Sequence, residues 1–261
     1  MAEPLYDSIG CRYGETRRAD PFLTETIVQA LHVEQGGDFL DLACGTGNYT
    51  CAVSERGGRW TGIDISETML DQARKKSERI AWIRGSADRL PFEDASFDGV
   101  LCTLAIHHFS ELESPFREVA RVLRSGPFVL FTSYPEQTAS YWLHRYFPRM
   151  IERSAAQLPS RASILTALHG AGFEIVEERP YSVKPDLQDL FLYSGKFHPE
   201  RYLDPAFRAN ISSFSALCSP EELRSGLARL GDDLGRGALE PEPDSRGDGD
   251  YTFVISRQDG R

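Results

Sequence analysis

The stretch Asp38-Phe39-Leu40-Asp41-Leu42-Ala43-Cys44-Gly45-Thr46-Gly47-Asn48 decides the fold. It begins as an apolar run of strand length and continues as a glycine loop that opens an amphipathic segment. Because Gly45 and Gly47 have no β-carbon, the loop can bring backbone N–H groups against a ligand. This order of strand, loop and helix predicts a doubly wound α/β unit that binds its ligand at the loop.

Short apolar runs alternate with amphipathic segments on the C-terminal side of this loop, which is the pattern of βαβ units in a parallel sheet. Strands are predicted at 38–43, 59–64, 79–84, 97–103, 128–133, 173–183 and 251–256. Helices are predicted at 49–55, 67–77, 115–123 and 160–169, and a further one starts at Ser219-Pro220. Ser66 and Ser114 are the expected N-caps. The fold class is therefore a Rossmann-like, seven-stranded, mostly parallel sheet with helices on both faces.

The composition limits the function. The chain has 261 residues, of which 41% are hydrophobic and 26% charged, and its formal net charge is -10. These values suit a globular protein, but the acidic balance disfavours nucleic acid and fits a neutral or cationic small molecule. The five scattered cysteines are expected to be reduced, and they suggest no metal site. The sequence has no apolar run typical of a signal peptide or long enough to cross a membrane, so a cytoplasmic protein without a membrane partner is expected. It is expected to be a monomer or a homodimer.

Two acidic residues indicate the cofactor. Asp41 ends the first strand, where its charge would repel a pyrophosphate but attract an ammonium or sulfonium group. The third glycine of the dinucleotide fingerprint is replaced by Thr50. Both features favour S-adenosylmethionine over NAD. Asp64 ends the second strand, where a carboxylate can accept both ribose hydroxyls, although it could simply cap the next helix.

Four motifs in this order resemble the class I methyltransferases, in particular the type 11 small-molecule group. They occupy residues 41–47, 62–66 with Met69, 85–92 with Phe97-Asp98, and 104–109, and the resemblance covers roughly residues 38–133. Ser86 stands where the family usually has an Asp for the adenine amino group, so weaker cofactor binding is expected. The resemblance implies a cofactor site made of Asp41, Gly45, Thr46, Gly47, Asp64, Ile65, Met69, Ser86, Ala87, Asp88 and Leu104. For Ile65 and Met69, plain core packing is the alternative.

His107 and His108 follow the fourth strand at the edge of the sheet where ligands bind. Either one could accept a proton from the methyl acceptor, provided that its pKa lies near neutrality, and loop packing is the alternative. The N-terminal segment resembles the family's cover over the cofactor. Tyr13 is then a candidate for a cation–π contact with the sulfonium, whereas a plain amphipathic helix is the alternative. Arg17 and Arg18 are expected to be solvated.

Two aromatic-rich insertions interrupt the alternation. The expected organisation is N-terminal cover helices at 1–36, a cofactor-binding core at 37–134, a lid insertion at 135–159, core again at 160–183, and a second lid insertion at 184–218. A C-terminal helix, a mobile loop at 231–250 and the last strand follow within 219–261. Tyr141, Trp142 and Tyr193 are candidates for contacts with the acceptor; alternatively they pack inside the lid or a dimer contact.

The sequence therefore predicts transfer of a methyl group from S-adenosylmethionine to an O, N, S or C atom of a small molecule. Three alternatives stay open at this point. The acceptor could be a protein or RNA, although the acidic charge makes RNA the weaker of the two. The chain could be a catalytically silent S-adenosylmethionine-binding regulator, for which Ser86 is the one hint. An NAD-linked oxidoreductase on a similar sheet is the third.

Overall fold

The computed structural model describes residues 17–209, 211–239 and 247–259. Its strands are β1 Asp38–Leu42, β2 Arg59–Asp64, β3 Ala81–Arg84, β4 Gly99–Thr103, β5 Pro127–Thr132, β6 Phe173–Tyr181 and β7 Tyr251–Gln258. Its α-helices are α1 Pro21–Leu31, α2 Asn48–Ser54, α3 Glu67–Lys76, α4 Glu113–Val122, α5 Pro135–Ala139, α6 Pro148–Ala156, α7 Arg161–Gly170, α8 Pro205–Ala209 and α9 Pro220–Gly235.

The strands form one sheet in the order β3-β2-β1-β4-β5-β7-β6. The first five pair in parallel, and β7 inserts antiparallel between β5 and β6. Strand order reverses at β1, whose two neighbours are β2 and β4. The predicted fold class is confirmed, and the central strands are apolar because both of their faces are covered.

Two apolar cores lie against the sheet. One core joins α1 and α2 to the aromatic residues of the lid, and the other packs α4 and α7 against the sheet. Asp20 caps α1 by accepting hydrogen bonds from the backbone of Phe22 and Leu23, and Ser66 caps α3 by accepting from Met69. The two cores hold the carboxyl ends of β1, β2 and β4 at one edge of the sheet.

Two local expectations are wrong. Ser114 is not an N-cap, because the chain already turns at Leu112 and Ser114 lies in the first turn of α4. The predicted loop at 231–250 begins too early, since residues 231–235 continue α9. No helix in the described ranges is both long and apolar enough to cross a bilayer.

The insertions after β5 and β6 form a mostly helical lid. The first contains α5, the 3-10 turn Trp142–Arg145 and α6. The second contains the 3-10 turns Leu192–Gly195 and Pro199–Leu203, then α8, and then a π-helical turn at Ser213–Leu217. Residue 210 lies outside the described ranges. Residues of both insertions line one cavity together with the loops after β1, β2 and β4, so the lid covers the edge of the sheet at which these strands end.

Candidate active site

A cavity of about 520 Å³ opens between this edge of the sheet and the lid. Its lining comes from the loops after β1, β2, β3, β4 and β5, and from both insertions. Doubly wound sheets bind their ligands where the strand order reverses, and a volume of this size suits a small molecule. Ala43 and Leu104 line the cavity with φ angles of 56° and 51°. Such left-handed backbone is costly for non-glycine residues and tends to persist at ligand sites.

The two glycines of the loop have different roles. A β-carbon on Gly45 (φ 55°) would meet nothing within 4 Å, so the backbone there faces open cavity. On Gly47 (φ 69°) it would lie 2.3 Å from Cη2 of the Trp82 indole. Gly47 is not among the described cavity-lining residues, and its role as a cofactor contact stays a prediction. Close packing of Trp82 and the turn into α2 require a glycine there.

Asp64 fastens the glycine loop to the end of β2. Its Oδ2 accepts a hydrogen bond from the Gly45 N–H at 2.8 Å, and its Oδ1 accepts from the Ser66 N–H at 2.8 Å. The cap of α3 is Ser66, so the helix-capping alternative for Asp64 is wrong. A carboxylate offers about four acceptor positions, so Asp64 is able to hold the loop and a ligand together.

Asp41 lies behind the loop, which corrects its expected place in the lining. Its side chain is 1% exposed, and Oδ2 accepts a hydrogen bond from the Thr50 hydroxyl at 2.5 Å. Burial raises the pKa of Asp41 to about 7, the Thr50 hydrogen bond opposes this shift, and the charge of Asp64 adds to it. Oδ1 has no hydrogen-bond partner among the described residues. An unsatisfied buried carboxylate oxygen beside the loop fits a cationic ligand.

The loop after β3 and the start of α3 form one wall of the cavity. Ile65 is 53% exposed and Met69 is buried, and both line the cavity. The Ser86 hydroxyl donates to Oδ2 of Asp88 at 3.1 Å and accepts from the Asp88 N–H at 3.3 Å. A carboxylate is thus present at this wall although residue 86 is a serine. Ala87 lines the same wall.

His107 and His108 line the cavity on the turn Ile106–His108 after β4. Their ring centroids are 3.9 Å apart. Burial lowers the pKa of His107 to about 3, helped by its neighbour, and lowers the pKa of His108 to about 4. These pKa values lie below the near-neutral range that suits a general base, because the cavity wall desolvates both imidazoles. At neutral pH both rings are uncharged hydrogen-bonding groups.

Tyr141, Trp142 and Tyr193 do not line the cavity, which corrects their prediction as acceptor contacts. They are between 1% and 6% exposed, and Tyr141 stacks on Tyr193 with centroids 3.8 Å apart. The Tyr141 and Tyr202 hydroxyls are 2.8 Å apart, and the Tyr193 hydroxyl donates to the Gln137 carbonyl at 2.6 Å. These aromatic rings form the core of the lid, where the tyrosine hydroxyls find their partners, whereas the buried Trp142 indole N–H has none among the described residues.

Arg17, Tyr49 and Asp189 form a buried group in the cavity wall that the sequence analysis missed. Asp189 is 1% exposed and accepts hydrogen bonds from the Arg17 guanidinium, with Nη2 at 3.1 Å, and from the Tyr49 hydroxyl at 3.1 Å. The Arg17 side chain is only 13% exposed, so its expected solvation is wrong. The group ties the segment before α1 to the second insertion. Tyr13 lies outside the described residues.

Small polar residues of the lid also line the cavity, and sequence reasoning missed them as well. They are Thr138, Ser154, Gln157, Ser212 and Ser213. No hydrophobic periodicity distinguishes the polar residues of these short helices and turns that face the cavity from those that do not, so the sequence carries no signal for them. Thr46 and Leu104 lie in the lining as expected. Among the described residues, no group of His, Cys, Asp or Glu side chains could hold a metal ion.

Comparisons with known proteins agree with this geometry. A family model described as a methyltransferase domain matches residues 40–131. A demethylmenaquinone methyltransferase of Staphylococcus epidermidis is 37% identical over 117 residues, which are 42% of this chain and 48% of that enzyme. The chain thus spans about half the length of such curated relatives, although the match to the Bacillus licheniformis enzyme of the same name, at 29% identity, covers 59% of this chain and 78% of that enzyme.

A solved structure extends the similarity over the whole fold. It is a protein of Anabaena variabilis assigned as a methyltransferase from an antibiotic biosynthesis pathway. The two chains are 32% identical with a TM-score of 0.83, and the alignment covers 92% of this chain and 98% of the other. The similarity therefore includes the lid as well as the glycine loop and the sheet.

Proposed function

Since this chain belongs to the class I S-adenosylmethionine-dependent methyltransferases of the type 11 group, we propose that it transfers a methyl group to an O, N, S or C atom of a small molecule. The observation that carries the proposal is the cavity at the reversal of strand order. There Asp64 holds the glycine loop, and a buried Asp41 oxygen lies unsatisfied behind that loop. A lid over the cavity suits a small acceptor better than a macromolecule.

The residues in the described cavity fit S-adenosylmethionine. When bound, it supplies a methyl group on a sulfonium, whose carbon–sulfur bond breaks with its electron pair left on sulfur as the bond to the acceptor forms. In this proposal Asp64 accepts from the ribose, and the exposed face of Ile65 covers the adenine. The Ser86–Asp88 pair offers a carboxylate to the adenine amino group. Asp41 acts on the cationic end through its buried charge.

The chain's own task is alignment and exclusion of water. Displacement at an activated methyl carbon needs the acceptor atom held in line, and that positioning can supply much of the rate enhancement. The lid covers the cavity and thereby limits the access of water to the reacting atoms. His107 and His108 are neutral and weakly basic because their pKa values are lowered, so they orient the acceptor through hydrogen bonds, and a proton lost from the acceptor leaves to solvent when the product is released.

Isothermal titration with S-adenosylmethionine, S-adenosylhomocysteine and NAD tests the proposal. We expect the first two to bind and NAD not to bind. Replacing Asp64 by Ala should weaken S-adenosylmethionine binding by roughly 10- to 150-fold, which is about the 1.5–3 kcal/mol of a charge-assisted hydrogen bond. The substitution also releases the Gly45 N–H, so circular dichroism should accompany the titration.

Asp71→Ala is the matched control, because Asp71 lies on α3 and pairs with Arg74 at the surface. It should leave the affinity unchanged. Unaltered binding by Asp64→Ala would remove Asp64 from the site. Binding of NAD, or no binding of any of the three compounds, would contradict the proposed function itself.

A further inference from the structure

The lid side of the cavity differs in character from the sheet side. We define the lid face as Thr138, Ser154, Gln157, Leu158, Ser212 and Ser213, all of which line the cavity from the two insertions. Four of these residues carry hydroxyls, one carries an amide, and one is apolar. None of the six carries a charge. The lid face is thus a neutral surface that is able to donate and accept hydrogen bonds.

The charged residues of the described lining lie outside the lid face, although one of them, Asp189, belongs to the second insertion. They are Arg17, Asp64, Asp88 and Asp189, and each has a local partner. Arg17 and Asp189 form an ion pair, Asp64 holds the glycine loop, and Asp88 bonds Ser86. The two histidines are neutral at physiological pH because their pKa values are lowered to about 3 and about 4. No described side chain is therefore placed as a counter-ion for a charged group at the lid face.

The hydroxyls of the lid face are held in place. The Ser154 and Ser213 hydroxyls are 2.8 Å apart and bridge α6 to the π-helical turn that begins at Ser213. Turns of this kind are rare and occur frequently at functional sites. Thr138 is buried and its hydroxyl lies 3.1 Å from that of Ser133. Gln157 is exposed at the cavity, so its amide is accessible to a ligand.

From this arrangement, and resting on the proposed function, we infer that the methyl acceptor is an uncharged molecule with several hydroxyl or carbonyl groups, recognised by the hydroxyls and the Gln157 amide of the lid face. An anionic or cationic acceptor would lose its hydration there without gaining a counter-charge, which is costly. An acceptor without polar groups would leave the exposed Gln157 amide without a partner on the ligand, and sites that hydrogen-bond their substrate discriminate strongly against analogues that lack the bonding group. Leu158 accommodates an apolar part of the same molecule.

Two scaffold-matched sets of probes test this inference on protein saturated with S-adenosylhomocysteine. One set is phenyl glucoside with its anionic glucuronide and its cationic glucosaminide. The other is 4-methylcatechol with 3,4-dihydroxybenzoate and dopamine. We titrate the probes at pH 7 and expect at least one of the two neutral probes to bind. That neutral probe should bind at least about tenfold more tightly than the two charged probes of the same set. Gln157→Glu should shift the preference toward the cationic member.

Gln35→Glu is the control, because Gln35 is exposed in the turn after α1 and is not part of the cavity lining. It should leave the order of affinities unchanged. The affinity of each variant for S-adenosylhomocysteine distinguishes failure of the proposed function from failure of the inference about the acceptor. If the unaltered protein does not bind S-adenosylhomocysteine, the proposed function is contradicted. If it binds S-adenosylhomocysteine but prefers a charged probe, or binds neither neutral probe, the inference about the acceptor is overturned.

Discussion

Asp41 is a buried carboxylate with one hydrogen bond, from Thr50, and one unsatisfied oxygen. Its pKa is raised to about 7 in the fold from an ordinary value of 3.8, chiefly by burial. The folded state therefore binds a proton more tightly than the unfolded state does. The stabilisation from this group is fully present below pH 3.8 and is lost as the pH rises through about 7.

Replacing Asp41 by Asn should remove this dependence. We expect the free energy of unfolding of the variant, relative to the unaltered protein, to increase by about 1.4 kcal/mol per pH unit between pH 4 and 7. Above pH 7 the difference should stay constant. Urea unfolding at pH 5, 6, 7 and 8 without cofactor measures it. A difference that does not vary with pH would show that Asp41 ionises normally in the fold.

The histidine pair gives a second prediction at the residue scale. Burial keeps both imidazoles neutral, with pKa values of about 3 for His107 and about 4 for His108. We expect the ring nitrogens of both residues to show neutral chemical shifts in NMR spectra down to pH 5. A model histidine titrates near 6.5 and is the reference. His107→Gln and His108→Gln assign the signals, and a ring that titrates near 6.5 would restore the general-base interpretation.

At the scale of elements, Asp250 joins four parts of the fold just before β7. Its carboxylate binds the Lys196 ammonium at 2.7 and 2.8 Å and accepts from the Val183 N–H at 2.7 Å. Its carbonyl accepts from the Ser133 hydroxyl at 3.1 Å. The Lys196 and Asp250 side chains are 7% and 10% exposed. Asp250 thus connects the ends of β5 and β6 and the second insertion to the start of β7.

Replacing Lys196 by Met should remove the Lys196 ammonium from the buried Asp250 carboxylate. Breaking one side of a buried ion pair typically costs about 3–5 kcal/mol. Arg74→Met is the control, since the Arg74 pairs with Glu67 and Asp71 are exposed and such pairs contribute about 0–1 kcal/mol. Chemical unfolding of both variants measures the difference. Equal losses in the two variants would mean that the Lys196 pair does not stabilise the fold.

At the scale of the whole molecule, the sheet could be predicted from the sequence because its central strands are continuous apolar runs separated by helices. Predicted strand 59–64 coincides with β2, and most other bounds differ by one or two residues. The cavity wall next to β2 could be predicted equally well, because its residues follow a strand end in a local motif. Asp64, Ile65 and Met69 all line the cavity as expected.

The lid could not be predicted in the same way. The ion pair of Arg17 with Asp189 joins residues 172 positions apart, and no local pattern encodes such a contact. Aromatic residues in irregular segments give the same composition whether they pack inward or face a ligand, so Tyr141 and Tyr193 were placed in the wrong role. The direction of a side chain in a short turn is set by tertiary packing, which the sequence alone does not display.

The position of β7 also affects how the chain reaches this fold during synthesis. β7 lies between β5 and β6 in the sheet, yet 118 residues separate the end of β5 from its start. At about 5–20 residues per second, a ribosome needs roughly 6 to 24 s to cover that distance. For this time the nascent chain exposes the open edge of β5, and β6 emerges before the strand that it pairs with. Until β7 appears, the edge of β5 is available for aggregation and for chaperone binding, because an unpaired strand edge can pair with another chain.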